Sequence, residues 1–497
     1  MIVPIVFTFD PAYENLSQTW FFYKMLTICK KEHWPIVAQQ QYYEQWDRQH
    51  EIFPQFFEKN TCELFDYDVP KLDDFALIDK ILIPKEIENK YIYEKGSQSD
   101  AYVASVEETW TEMENFMYEI LKEYEHKKGE KIEAIISLTY LKFLENVSQK
   151  TGIPIIYYEW GPLRYSNYRN TAFFDINGKY RNVEKLYSEF CKEKTEVPIL
   201  ELKEILALFI NKDYLKYVVS PEEYEQDKYE IGIVGGYNSI TWVTSRINMV
   251  ELYSLAREQY DEDKIAVRYH PGDPIHAKMN VKNEITGNLI EFLLACKRIV
   301  CISSNIEVEA MLYGKTVYDL SDFKYKGIVN NDRRLTSQEK VNKNIINFIM
   351  FVCIIPYELL NNVEYIRYRL KNPSLKEIYM YHLKYYLKTF GIPECILNNK
   401  NEDRFYQIVL YREFNINCDI LEGEEKMKDI LIEQLVDEKN KNMELKKQIE
   451  ELLIDRENEK AELNNWQLKY NSLMNCKSMK ITKPLRTIDN FIKGKRG

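Results

Sequence analysis

The sequence predicts an α/β protein with two Rossmann-like doubly wound domains, followed by C-terminal helices, a coiled coil and an amphipathic basic tail. Three observations predict it. Short runs rich in β-formers alternate with amphipathic stretches through the first third of the chain. A cleaner strand–helix alternation restarts near residue 223. Past residue 427 a long segment free of Gly and Pro takes on a heptad pattern.

In chain order, the first strands are expected at Ile2–Phe9, Pro35–Ala38, Ala76–Ile83, Glu133–Thr139 and Pro154–Tyr158. The intervening segment Glu108–Glu125 places Met113, Phe116, Met117, Ile120 and Leu121 at helical spacing. Strands alternating with helices imply a mainly parallel sheet covered on both faces. The second series runs strand Glu230–Val234, helix Ser245–Arg257, strand Lys264–Tyr269, helix Leu289–Lys297, strand Arg298–Ile302, helix Ile306–Tyr313 and strand Thr316–Leu320. After Leu320 the strand signal fades. Thr336-Ser-Gln-Glu339 fits a capping box, and residues to about 390 read as helices packing back on both sheets. The expected domains are therefore 1–222, 223–335, a helical region 336–421, a coiled coil 422–474 and a tail 475–497.

With a placed at Leu435, Asn442, Ile449, Arg456, Leu463 and Tyr470 and d at Leu431, Glu438, Leu445, Leu452, Glu459, Trp466 and Leu473, nine of thirteen seam positions are apolar. That pattern suits a coiled-coil homo-oligomer, with a single solvated helix as the alternative. In the tail, Ile481, Leu485, Ile488 and Ile492 share one helical face. Seven cations oppose Asp489 alone from residue 477 onward. An interfacial helix on anionic lipid fits this composition, and a disordered basic end is the alternative.

Composition narrows the function. The net charge of −11 disfavours a nucleic-acid binder relying on global positive charge. Nine scattered cysteines without a C-x-x-C pair indicate neither a disulfide framework nor a zinc site, so no metal or cofactor is expected. Met1–Phe9 lacks a basic leader region, and the longest apolar run, Phe348–Ile355, is too short to span a bilayer. A cytoplasmic protein, peripheral on the inner face of the cytoplasmic membrane, is expected. Glycine is scarce, at 16 residues, and nine of these fall between 152 and 314, where backbone must turn tightly or approach something closely.

Candidate chemistry clusters at the carboxyl ends of the predicted strands, where doubly wound sheets bind ligands. Ile302-Ser303-Ser304-Asn305 ends a strand and opens a helix, offering hydroxyls and backbone N–H groups to a phosphate. Glu309, on that helix, would accept from ribose hydroxyls; ordinary N-capping with surface acids is the alternative. Arg268-Tyr269-His270-Pro271-Gly272 exposes an imidazole that would help a nucleotide leave. Glu159 ends another strand among aromatic residues, and Arg164 and Arg169 follow it as planar forks for a carboxylate or phosphate, unless they form an ion-paired loop. Gly235-Gly236-Tyr237-Asn238-Ser239 closes the first strand of the second unit and permits close backbone approach.

Together these stretches resemble bacterial sugar transferases of the GT-B type, and among them the retaining β-Kdo transferases of O-antigen and capsule assembly. The likeness rests on Glu159-Trp-Gly-Pro-Leu-Arg164 with Tyr168, Thr171, Asp175 and Gly178, on Arg268-Tyr-His270-Pro271-Gly272, on Ser303-Ser304, on Glu309-Ala-x-x-x-Gly314-Lys and on Pro356-Tyr-Glu-Leu359. It covers roughly 130–360. Ser478-x-x-x-Thr482-x-Pro484-Leu485-Arg486 is similar to the end of many bacterial polysaccharide glycosyltransferases.

The resemblance implies a glycosyltransferase that moves Kdo or a related acidic sugar from a CMP-sugar to a glycan or lipid-linked acceptor. His270, Ser303 and Ser304 would hold the phosphate, and Glu159 would act at the reacting carbon or its acceptor. Where the family carries acidic residues after the first strand of the second domain, one of them a covalent nucleophile, this chain has Asn238, and an amide is a poor nucleophile. The motifs then align with a different offset, or Asp10 or Glu159 substitutes, or the donor and mechanism differ. A UDP-, GDP- or TDP-sugar transferase and a catalytically lapsed coiled-coil scaffold are the alternatives.

Overall fold

The structure is a computed structural model that describes residues 1–10, 15–235, 247–270, 280–302, 304–320, 325, 327–398 and 404–414, with isolated positions beyond. By its contacts the chain divides into Met1–Asn415, which holds all the described strands, and Ile416–Gly497. The expected coiled coil and basic tail lie outside the described residues, isolated positions aside.

Among the described residues eleven strands form two sheets. β1 (Ile2–Val6), β2 (Ile36–Gln39), β3 (Lys80–Ile83), β4 (Ala134–Ser137), β5 (Ile155–Trp160) and β6 (Thr171–Ile176) belong to the first. β7 (Ile231–Val234), β8 (Ile265–Arg268), β9 (Arg298–Cys301) and β10 (Thr316–Asp319) make the second, and β11 (Ile354–Pro356) returns to the first. The orders are β11-β6-β5-β4-β1-β2-β3 and β10-β9-β7-β8.

The second sheet is wholly parallel, as is the β5-β4-β1-β2-β3 part of the first. Internal strands are buried on both faces, which is why β1 and β4 read as nearly unbroken apolar runs, with every residue buried; in the second sheet every residue of β9 and of the edge strand β10 is buried as well. The edge strand β3 alternates, with Ile81 and Ile83 inward and Lys80 and Leu82 exposed. Each sheet has its own apolar core, one built from residues of 1–176 together with Ile355–Ile366 and one from residues 231–335.

Helix boundaries follow local chemistry. Thr111–Lys128 buries Met113, Met117, Leu121 and Tyr124 on one face, carries acids in its first turn and cations in its last, and stops at Gly129 with φ +66°. Met249–Arg257 starts from a reciprocal Asn248/Glu251 capping box.

Three features differ from the sequence-based expectation. β6, which no predicted strand covers, runs antiparallel to β5, pairing Tyr157 with Asp175 and Trp160 with Ala172. The apolar run 348–355 is not all helix: helix Lys343–Phe348 passes into a π-helical turn, Ile349–Cys353, and then into β11, antiparallel to β6. Thr336 caps nothing, because the Ser337 hydroxyl accepts from Glu339 N locally and the helix begins six residues later, where Asn342 caps Asn344 N.

Candidate functional site

The carboxyl ends of the first sheet carry a chain of polar contacts. Beyond β1, Asp10 N donates to Thr8 Oγ1 at 3.0 Å, and Thr8 N donates to Gln39 Oε1 at 2.9 Å at the end of β2. Gln39 Nε2 in turn donates to Glu88 Oε2 at 2.9 Å. Burial pushes the Glu88 carboxyl up to about 7. Tyr102, on helix Gln98–Glu107, lies within electrostatic reach of both Asp10 and Glu159, and burial pushes its hydroxyl up to about 12. Tyr102 has no counterpart among the sequence-predicted residues, since an aromatic on an amphipathic helix reads as core.

Glu159 and Trp160 are half-buried at the end of β5. Trp160 stacks on Tyr357, with ring centroids 5.5 Å apart, and meets Trp20 and Phe65 at 4.6 and 4.5 Å. The loop that follows is pinned by Thr171. Its backbone pairs with Gly161 and Leu163, and its Oγ1 donates to Leu163 O at 2.9 Å and accepts from Leu163 N at 3.2 Å. A Cβ at Gly161 would collide with the Thr171 backbone, which is why glycine stands there. The turn presents Arg164, whose Nε donates to Gly161 O at 2.9 Å and whose guanidinium lies 5.6 Å from the Trp160 ring centroid. Arg164 is solvent-exposed, yet surrounding protein lowers its pKa while Glu159 and Glu309 oppose that fall; an open side chain with protein on most sides is the mark of a cleft.

The second sheet closes this cleft. Gly235 N donates to Arg268 O at 2.9 Å, so the ends of β7 and β8 run side by side, with His270 half-buried just beyond. A Cβ at Gly235 would lie 3.4 Å from His270 N, an ordinary contact, so the backbone approach expected there is not one that excludes alanine on this side. Arg268 Nη1 donates to Gly287 O at 2.7 Å. After β9, Ser304 N donates to Glu307 Oε1 at 3.0 Å, so this N–H, which the sequence offered to a phosphate, is already taken by the first turn of its own helix. Asn305 Nδ2 donates to Trp160 O at 3.4 Å and joins the two sheets.

Glu309 is the meeting point. It is only 6% exposed, lies within electrostatic reach of Arg164 from the first sheet and Arg268 from the second, and stands beside Tyr168. Burial pushes its carboxyl up to about 8 in spite of Tyr168 and both arginines. The cluster therefore sets two cations beside a carboxyl that holds its proton more tightly than an ordinary glutamate. Its Oε2 is buried without a hydrogen-bond partner.

The structure thus gathers Glu159, Arg164, Asn305, Arg268 and Glu309, with Asp10 and Tyr102 on the first-sheet side and Gly235, His270 and Ser304 on the second. Arg169 turns elsewhere, its guanidinium 4.5 Å from the Phe390 ring centroid and 3.8 Å from Glu358. Asn238, Gly236, Pro271 and Ser303 lie outside the described residues. Among the described residues no helix is long and apolar enough to cross a membrane.

A cleft between two α/β sheets, lined by their strand ends, defines a ligand-binding class of fold rather than one chemistry. Residues 14–184, about a third of the chain, match the model of the glycosyltransferase 99 family N-terminal domain, which supports a glycosyltransferase. No curated protein matches the sequence. Among solved structures, the β-Kdo 2,7-transferase KpsC of Thermosulfurimonas dismutans is 12% identical, with 60% of this chain and 90% of that one covered and a TM-score of 0.33. The β-Kdo 2,4-transferase KpsC of the same organism is 17% identical, with 46% and 86% covered and a TM-score of 0.30. A Listeria monocytogenes putative UDP-N-acetylglucosamine 2-epimerase is 12% identical, with 71% and 95% covered and a TM-score of 0.28. Likenesses this distant carry no functional argument.

Proposed function

We propose that the chain is a glycosyltransferase of bacterial surface-polysaccharide synthesis that transfers Kdo or a related acidic sugar from a CMP-sugar to a glycan acceptor. The observation that carries this reading is that Arg164 and Arg268, from opposite sheets, both lie within electrostatic reach of the buried Glu309, whose carboxyl burial pushes up. Two guanidinium forks favour an anionic group entering the cleft, and such donors act most strongly where surrounding protein has displaced water. The match of residues 14–184 to a glycosyltransferase domain supports the same class.

In this reading the second-sheet side takes the donor. His270, Ser303 and Ser304 hold the phosphate, Arg268, Pro271, Asn305 and Glu309 line the rest of the donor site, and Gly235 and Gly236 let the donor approach the backbone. His270 stabilises the departing nucleotide. Glu159 and Asp10 supply carboxylates on the first-sheet side, where the acceptor enters past Arg164. Asn238 stands at the position where a covalent nucleophile would be carried, so an acid of the first sheet takes that part, or the displacement is direct. The basic tail brings the cleft to the inner leaflet, where lipid-linked acceptors lie, and the heptad segment pairs protomers.

Incubation of the full chain with CMP-, UDP- and GDP-sugars, with released nucleotide followed by chromatography, tests the reading. Release of CMP is expected. Absence of release, transfer and nucleotide binding from all three would overturn the enzyme. A UDP-, GDP- or TDP-sugar is the second reading, because two guanidinium groups match the two charges of a diphosphate; release of UDP or GDP without CMP would establish it.

A further inference from the structure

The loop that carries Arg164 continues directly into a second concavity of about 640 Å³, walled by Tyr165, Arg169, Lys212, Tyr214, Phe390 and Arg412. Its walls are firmly built. Arg169 N donates to Phe209 O at 2.8 Å, Asn211 N to Asn167 O at 2.8 Å, and Asn211 Nδ2 to Tyr168 O at 3.1 Å, while the Ser166 and Tyr214 hydroxyls meet at 3.0 Å. These contacts hold the loop against the end of helix Leu202–Phe209.

The two arginines of the cavity differ in what they have left to give. Arg412 is buried, donates to the carbonyl oxygens of Ala207 and Ile210 and pairs with Glu413 at 2.7 Å, so it belongs to the scaffold. Arg169 also lies over the Phe390 ring, at 4.5 Å from its centroid, with about a third of its side chain exposed. Its guanidinium makes no hydrogen bond to a described residue, and its carboxylate neighbour Glu358 stands at 3.8 Å. On the same wall Tyr165 is 65% exposed. A planar cationic fork with open donors, preorganised on one aromatic ring and sharing a wall with another, suits a carboxylate attached to a pyranose: the fork takes the carboxylate and the rings take the apolar face of the sugar. The volume falls in the range of small-ligand sites. The cations of this wall, Arg169, Lys212 and Arg412, outnumber Asp213 and Glu413 in a chain whose net charge is −11.

We infer that this concavity is a binding subsite for a carboxylated segment of the acceptor glycan, with Arg169 on the sugar carboxylate and Tyr165 and Phe390 as stacking faces. The inference rests on the glycosyltransferase reading for the word acceptor, and the test separates the two. Calorimetric titration of the full chain with tetragalacturonate and with maltotetraose reads binding without any donor. Tetragalacturonate is expected to bind at least about tenfold more tightly than the neutral tetramer and to weaken with added salt. Arg169→Gln and Tyr165→Ala are each expected to lower its affinity about tenfold with the melting temperature unchanged. Equal affinity for both oligosaccharides, or an Arg169→Gln protein that binds like the parent, would overturn the subsite. Nucleotide release from a donor sugar without tetragalacturonate binding removes the subsite and leaves the transferase. Arg169-dependent binding without release from any donor leaves the subsite and removes the transferase.

Discussion

Glu88 is 5% exposed, gives one carboxylate oxygen to Gln39 and leaves the other buried without a partner, so its carboxyl is pushed from the ordinary 4.5 up to about 7. Glu309 behaves alike, at about 8. Both acids hold a proton in the native chain over a range in which the unfolded chain has released it, so native protons exceed unfolded protons from about pH 4.5 to 7 or 8. Stability therefore falls as pH rises through that window. For Glu88 the full span is about 3 kcal/mol. Glu88→Gln keeps an acceptor for Gln39 and has no charge to desolvate. Its unfolding free energy in urea should gain on the parent's by up to about 3 kcal/mol between pH 5 and pH 9. A gap that stays constant across the series would show that Glu88 is ionised in the fold. The consequence reaches the site, since Glu88 fixes Gln39, Gln39 fixes Thr8, and Thr8 holds the backbone of Asp10.

At the scale of elements, the loop between β5 and β6 positions Arg164, and Thr171 is its clasp. Thr171→Val preserves shape but strands Leu163 N in a buried place, while Leu163 O keeps only its bond from Thr171 N, at a cost of about 1–3 kcal/mol. A lower melting temperature together with reduced nucleotide release is expected; lost stability with full release would mean that Arg164 is not needed for the reaction. A second clasp lies behind the first sheet, where His382 Nδ1 meets Phe351 O at 2.8 Å and Nε2 meets the Tyr365 hydroxyl at 2.7 Å. The carbonyl requires a proton on Nδ1, so Nε2 accepts from Tyr365, whose oxygen in turn accepts from Arg369. Burial and Arg369 lower the imidazole to about 3. A depressed histidine leaves the unfolded chain binding the extra proton below pH 6.5, so this contribution is present above 6.5 and is lost toward pH 3, at about 1.4 kcal/mol per pH unit. Nitrogen-15 spectra of labelled histidine at pH 5 should show His382 neutral and protonated on Nδ1; titration near 6.5 would contradict the network. The parallel strands were legible because burial on both faces writes unbroken apolar runs. β6 was not, because its pattern follows a loop with no helix between. β11 was not, because three residues ending in Pro356 after a helical turn carry no periodicity. Of the cleft, Arg164, Arg268 and Glu309 were each legible as strand-end or helix-start residues. Their convergence was not, because it depends on how two sheets face one another.

At the scale of the whole molecule, the chain builds its first sheet in two visits. It lays down β1–β6, crosses to the second sheet, and returns through helix Lys343–Phe348 to add β11 against β6. From β11 to residue 366 the second visit is structural: Ile355, Tyr357, Leu359, Leu360, Tyr365 and Ile366 belong to the same apolar core as β1 and β4. The Tyr158 hydroxyl donates to Leu360 O, Lys24 lies 4.3 Å from the Tyr357 ring centroid, and Arg367 pairs with Glu133 at 2.9 Å, which also receives the N-terminal amine. Burying each such side chain contributes about 1.5–3 kcal/mol, so losing all six removes about as much as the usual net stability of a domain. A fragment of residues 1–222 also bares β6 as an open edge. Expressed alone it should be aggregated or bind a hydrophobic dye, whereas the same fragment joined through a flexible Gly/Ser linker to residues 340–415 should regain a cooperative unfolding transition. A monomeric 1–222 fragment that unfolds cooperatively would mean that the first sheet is complete without β11, and that the return of the chain serves only to hold the second sheet in place.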